Sequence, residues 1–209
     1  MDNQWRELWE ERFSSSDYAY GTKPNAWIKQ ALSRIKTGSI LFAGEGEGRN
    51  AVWAAERGWQ VKAFDLTHAG RKKALRLAAE QGVEINYWVQ DIINLNPLDH
   101  VVDVVAHSFL HLPPEIRRKH IPKLLHALRP GGSLISESYH TSQLGLTSGG
   151  PRSVDMLHDL EEVLSEYHAV DGIKIHQEHA EVTTVVLDES KLHQGEAHVI
   201  RLHLRRVEE

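Results

Sequence analysis

The 209-residue sequence contains no cysteine, which excludes disulfides, thiolate catalysis and zinc–thiolate centres. No stretch approaches the ~20 consecutive apolar residues of a membrane-spanning helix. Residues 1–13 are charged and amphipathic and lack the apolar run of a signal peptide, so a cytoplasmic protein without a membrane partner is the expectation. A basic surplus is missing too: 24 Lys+Arg stand against 29 Asp+Glu, the wrong balance for a nucleic-acid partner. Two short basic clusters, Arg71-Lys72-Lys73 and Arg117-Arg118-Lys119, fall on expected helix faces and read as solvated surface. Repeats, heptads and low-complexity tracts are absent. Metal is not expected, because His176/His179 and His198/His203 do not share a strand face.

What is present is a chain long enough for one domain with a sizeable core. Its centre is Ile40-Leu41-Phe42-Ala43-Gly44-Glu45-Gly46-Glu47-Gly48-Arg49-Asn50, a short apolar strand, a glycine turn and the start of a helix. Such turns cradle nucleotide-like ligands, although they also serve as plain connections. Before it, Trp5, Leu8, Trp9 and Phe13 recur at helical spacing, so residues 2–13 should form a helix, and residues 27–35 a second. These aromatics either pack on the core or, with Tyr18, Tyr20 and Trp27, close over a ligand.

After it, helices and strands alternate. Strands are expected at 61–64, 85–89, 101–106 and 133–138. Helices are expected at 49–57, after the Thr67 N-cap, and around Ile121, Leu124, Leu125 and Leu128, beginning or kinking at Pro122. Arg129-Pro130-Gly131-Gly132 is a turn signal and 139–153 a long loop. A helix follows, marked by Leu157, Leu160, Val163 and Leu164. Strand-like segments at 173–175, 182–187 and 197–204 end the chain, with residues 190–195 as a hairpin loop. The picture is an α/β fold whose parallel sheet finishes in an antiparallel hairpin.

Ligands of such sheets lie at the carboxyl ends of the strands. Asp65 ends the second strand, 17 positions after Gly48, where an acid reaches ribose hydroxyls; a turn-capping acid is the alternative. The dinucleotide pattern Gly-x-Gly-x-x-Gly fails at Arg49, and Glu45 and Glu47 suit a cation better than a pyrophosphate.

These residues resemble class I S-adenosylmethionine-dependent methyltransferases. The matching elements are Gly44-x-Gly46-x-Gly48, Asp65, Asp91-Ile92, Leu128-Arg129-Pro130-Gly131-Gly132 and the terminal hairpin. Trp9-x-x-Arg12-Phe13, Tyr20-Gly21-x-x-Pro24-Asn25 and Gly46-Glu47-Gly48-Arg49-Asn50 look like the small tellurite-resistance and thiopurine methyltransferase-like group. The resemblance implies a Rossmann-like three-layer sandwich with a seven-stranded sheet. It divides one domain into a helical lid (1–37), a cofactor-binding core (38–139) and an acceptor loop, helix and hairpin (140–209). The implied cofactor is S-adenosylmethionine. The Gly44, Gly46 and Gly48 backbone would face its methionine part, and Glu45 would take the ammonium, since Phe42 replaces the acid many members carry. Asp65, with Leu66 beside it, would hold the ribose, Asp91 and Ile92 would border the adenine, His107 would line the sulfonium side, and Tyr20 belongs to the lid.

The reaction implied is methyl transfer to a small-molecule substrate. By position, His107, His111, Tyr139 and His140 are candidate bases, whereas a soft thiol, selenol or tellurite acceptor needs none. The rival readings are a non-catalytic S-adenosylmethionine-binding protein and an NAD-dependent oxidoreductase.

Overall fold

The computed structural model describes residues 3–96 and 101–207. Position 2, where the first helix was expected to begin, lies outside them. Seven strands form one sheet: β1 (Ser39–Ala43), β2 (Gln60–Asp65), β3 (Asn86–Val89), β4 (Val102–Ser108), β5 (Leu128–Tyr139), β6 (Ile175–Ser190) and β7 (His193–Arg206). Their order is β3-β2-β1-β4-β5-β7-β6. The first five run parallel, and β7 pairs antiparallel with both β5 and β6.

Strand β1 shows why the sheet is sandwiched. Ile40, Leu41, Phe42 and Ala43 are all buried, so both faces of the strand must be covered. Side chains alternate across a strand. Ile40 and Phe42 therefore pack with Trp27 and Ile28 of α2 (Ala26–Leu32), Val52 of α3 (Arg49–Ala55) and Leu77 of α4 (His68–Glu80). Leu41 and Ala43 pack the other way, against Leu124 and Leu125 of α5 (Pro114–His126) and Val163 of α6 (Leu160–His168). Trp27 belongs to this core, its indole N–H bonded to the Leu202 carbonyl, and not to a ligand-covering surface.

Local expectations hold where a local group decides. The Thr67 hydroxyl accepts from Gly70 N at 3.2 Å and caps α4. Helix α5 begins at Pro114, which needs no N–H there. Pro122 sits inside the helix instead of starting it. Leu128 belongs to β5, paired with Val102, while Ser133 pairs with Val104. The four residues between them bulge out, so the turn signal lies within the strand.

The hairpin differs most from expectation. Residues 173–175 and 182–187 were separate strands in the sequence reading, but β6 runs unbroken from Ile175 to Ser190. The loop is tighter than 190–195, because Ser190 pairs with His193 and only Lys191 and Leu192 turn the chain. Pairing of β5 with β7 stops at Tyr139 and Val199. The six residues from His193 to His198, still paired with β6, therefore extend past the end of β5 for about 20 Å, at ~3.4 Å per residue.

Both basic clusters also need correction. Arg71, Lys72, Arg118 and Lys119 are exposed, but Lys73 and Arg117 are buried. Lys73 Nζ meets Glu47 at 2.5 Å, and Arg117 meets Glu166 at 2.6 Å and Glu162 at 2.9 Å. Burial of a charge requires such partners.

Candidate active site

The chain runs from β1 outward to β2 and β3, then crosses back to β4. This leaves a crevice at the carboxyl ends of β1 and β4, the switch point where α/β sheets bind ligands. A cavity of about 440 Å³ opens there, within the ~300–1,000 Å³ range of small-molecule sites. Gly44 and Gly46 form its floor, Asp65, Leu66 and Ile92 one side, and the segment after β4, residues 108–112, the other. Tyr139, Pro151, Arg152 and Met156 continue the wall, and His193 reaches it from the overhanging hairpin.

The N-terminal helix α1 (Asn3–Ser14) completes the enclosure. Trp5, Leu8, Trp9, Arg12 and Phe13 line the cavity, and of these only Phe13 is buried. Its apolar stripe is thus turned to the cavity more than to a core. Glu10 on its other side accepts from His68 N at 2.6 Å and Ala69 N at 2.9 Å, the open N-terminus of α4. Tyr20 lines the cavity, with its hydroxyl 2.8 Å from Arg12 Nη1.

The glycine turn divides its work. A Cβ on Gly48 would stand 2.6 Å from that of Ala74, so Gly48, at φ 89°, provides the close helix packing that position 49 would supply in the dinucleotide pattern. Gly46 N donates to Asp65 Oδ2 at 3.1 Å, while Asp65 Oδ1 accepts from Thr67 N and Oγ1 at 3.0 and 2.8 Å. Burial raises the Asp65 pKa against these bonds. The Leu66 backbone N–H also favours its ionised form, and the carboxylate stands in the cavity wall.

Both glutamates of the turn face away. Glu45 accepts from Asn50 N and Ala51 N, each at 2.7 Å, and closes the N-terminus of α3. Burial raises its pKa to about 7, opposed by those bonds. Glu47 is held by Lys73. Neither lines the cavity, so the expectation that Glu45 meets the methionine ammonium is corrected: the orphan N–H groups of α3 occupy it. Asp91 is likewise turned back, accepting from Ile93 N at 3.0 Å, with Ile92 in the wall beside it.

The four candidate bases separate clearly. His107 is not in this wall; it lines a second, smaller cavity with His120, His158 and Tyr167. His140 sits outside, its Nδ1 2.8 Å from Ser142 Oγ. His111 does line the site, but Nδ1 lies 2.7 Å from the Met156 carbonyl and must donate, while Nε2 accepts from Tyr139 N at 3.1 Å. Both nitrogens are taken. The Tyr139 hydroxyl is pushed above the usual range by burial and is a poor base.

A charged group that sequence reasoning missed lies opposite. Arg49 Nη1 is 2.7 Å from Glu189 Oε2, which is 2.9 Å from His193 Nδ1. Phe109, a non-glycine residue at φ 54°, stacks on Tyr139 with centroids 4.5 Å apart and meets His193 edge-on at 4.7 Å. The spacing Glu189-x-x-x-His193 was the available signal; a pair flanking a two-residue turn becomes adjacent only once that turn is known.

Comparison with known proteins agrees with this geometry. Residues 40–132 match the methyltransferase domain family. The chain is 30% identical over 155 residues to 2-heptyl-1-hydroxyquinolin-4(1H)-one methyltransferase of Mycobacteroides abscessus, covering 72% of this chain and 68% of that one. It is 25% identical over 193 residues to thiopurine S-methyltransferase of Legionella pneumophila, 82% of each. The N-methyltransferase NodS of Bradyrhizobium japonicum, solved with S-adenosyl-L-homocysteine, superposes with TM-score 0.70 at 14% identity, over 96% of this chain and 97% of that one. The chain belongs to the class I S-adenosylmethionine-dependent methyltransferases. Its fold is theirs, and S-adenosylmethionine is its cofactor.

The lining suits that molecule: the Asp65 carboxylate would serve a ribose hydroxyl, and apolar Leu66 and Ile92 a base. Asp65→Ala should weaken S-adenosylmethionine binding at least tenfold by isothermal titration. It should also lower stability by about 1–3 kcal/mol, since three donors lose their acceptor. Unchanged affinity would place the ribose elsewhere.

Proposed function

We propose that the protein methylates a small, planar and largely apolar acceptor, bound between α1, residues 150–156 and the hairpin tip. The observation that carries this is one continuous cavity. It runs from the glycine turn to an aromatic enclosure of Phe109, Tyr139, Tyr20 and His193, in which the Tyr20 and His193 rings are 4.6 Å apart. Aromatic walls of this kind recognise flat rings. The two relatives in the comparison are named for a hydroxyquinolinone and for thiopurines, both flat heteroaromatic compounds.

In this reading Gly44, Gly46, Asp65, Leu66 and Ile92 hold the cofactor, and α1 with Tyr20 acts as the lid. The cofactor supplies an activated methyl group with a neutral thioether as leaving group. The chain's contribution is to align the acceptor, which can supply up to roughly 7–11 kcal/mol of the barrier, and to exclude water through α1. Isothermal titration with S-adenosylmethionine, its demethylated product and NAD tests the cofactor half; NAD binding alone would overturn it. Turnover assays with 2-heptyl-1-hydroxyquinolin-4(1H)-one, 6-mercaptopurine and a linear aliphatic thiol test the acceptor half. Methylation of the aliphatic thiol alone would reject a planar acceptor.

A further inference from the structure

We propose that His193, oriented by Glu189, is the base that takes the proton from the acceptor's reacting heteroatom, so that the acceptor is protic: a hydroxyl or N-hydroxyl on the flat ring. This rests on the reading of the cavity as the acceptor site.

The geometry assigns each nitrogen of the ring. Glu189 Oε2 lies 2.9 Å from Nδ1. Burial acts to raise the Glu189 pKa, but the His193 bond and the Arg49 charge outweigh it, and the net shift is downward. An ionised carboxylate can only accept, so Nδ1 carries the hydrogen and Nε2 the lone pair. No partner for Nε2 exists among the described residues, in contrast to His111, whose two nitrogens are both engaged. Glu189 is itself fixed on three sides: by His193, by Arg49 at 2.7 Å and by Asn25 Nδ2 at 3.4 Å. Its partners keep the carboxylate charged, suited to stabilising an imidazolium rather than taking the proton. Phe109 and Tyr20 hold the ring from two sides.

A hydroxyl is a weak methyl acceptor until its proton leaves. As the acceptor oxygen bonds to the methyl carbon, its proton passes to His193 Nε2. The carbon–sulfur electron pair stays on sulfur, which departs as the neutral thioether. The imidazolium, paired with Glu189, then releases its proton to solvent. Among the described residues, the charged and titratable groups facing His193 are Glu189, Arg49, Arg12, His111, Tyr20 and Tyr139. Burial, the largest influence, lowers the His193 pKa below 6.5, with Glu189 opposing and Arg49 assisting. The base is therefore neutral at pH 7 and is lost only as the pH falls below the ordinary histidine range.

The test uses H193Q and E189Q in the full chain. With 2-heptyl-1-hydroxyquinolin-4(1H)-one at pH 7.5, H193Q should lower kcat by about 10²–10⁴, the span of general-base catalysis, and abolish the acidic limb of the kcat profile. S-adenosylmethionine affinity should stay within twofold. E189Q should move that limb and, by ¹⁵N NMR, convert the His193 ring from the Nδ1–H tautomer to a mixture. A bystander histidine would show neither effect. A readout independent of turnover is absorbance of the bound hydroxyquinolinone in the presence of the demethylated cofactor: its anion should form in the wild type and not in H193Q. Full activity of H193Q across the pH range, or an Nε2–H tautomer in the wild type, overturns the proposal. Absent S-adenosylmethionine binding in the wild type would instead overturn the cofactor reading, with the tautomer still deciding the assignment of His193.

Discussion

Lowering the pH from 7 to 4.5 is expected to destabilise the protein. His107, His111 and His120 are each lowered by burial to a pKa of about 4, and His158 lies well below its ordinary value for the same reason. Three of these rings surround the second cavity, and neither nitrogen of His120 has a hydrogen-bond partner among the described residues. The unfolded chain takes up protons on them from about pH 6.5 downward, while the folded chain resists until about 4. Their contribution is thus present above 6.5 and lost as the pH falls through that window.

Glu45 works in the opposite sense. Its folded pKa of about 7 means the folded state gains a proton first, which offsets one histidine; Asp65 and Glu137, also raised by burial, act in the same direction. Four lowered histidines against three raised carboxylates leave a net uptake of roughly one proton, about 1.4 kcal/mol per pH unit, against a total stability of about 5–15 kcal/mol. Urea titrations at pH 7.5, 6.0 and 5.0 should show midpoints falling. His120→Leu, which replaces an unpartnered ring by an apolar one, should flatten the slope by about one proton. A midpoint constant from 7.5 to 5.0 would contradict the burial of these rings.

Lys73→Met, on α4, should strongly destabilise the protein. Lys73 Nζ lies 2.5 Å from Glu47 Oε1 and 2.5 Å from the Asp17 carbonyl, with side chains of Lys73 and Glu47 only 7% and 3% exposed. Removing the lysine strands the carboxylate, at a cost of about 3–5 kcal/mol. For a chain of this length that is roughly a 10 °C fall in Tm. Glu47 also accepts from Tyr20 N at 3.4 Å, so residues 17–20 should loosen, seen as faster amide exchange. Adding Glu47→Gln should restore most of the loss, because the buried charge is then gone. A fall below 2 °C in the single variant would mean the pair is solvated.

The same pair shows what limits a reading of the chain. Arg71-Lys72-Lys73 looks like any solvated cluster, since the acid that buries Lys73 stands 26 residues earlier. Arg117 meets its two acids 45 and 49 residues later. The glycine turn and the Thr67 cap were legible because each depends on neighbours a few positions apart, and the parallel direction of β1 to β5 because helices alternate with them. Helix α1 was legible as a helix, but its periodicity alone does not say whether the apolar stripe meets a core or a cavity. The hairpin was recognised and its length was not: residues 176–181 read as polar, and only pairing with β7 makes them strand.

The sequence by itself determined the class of the protein, because the turn at Gly44–Gly48, the acid at 65 and the strand–helix alternation are local patterns with one common arrangement. The tertiary structure alone decided which ionisable groups face the cavity and which are spent on the fold. Glu45 is consumed by the N–H groups of α3 and His111 by a carbonyl and an amide, whereas His193 keeps one nitrogen unengaged among the described residues. Whether a polar atom remains available depends on partners brought from distant segments by the closing of the hairpin and the packing of the helices, and that closure is a property of the whole fold.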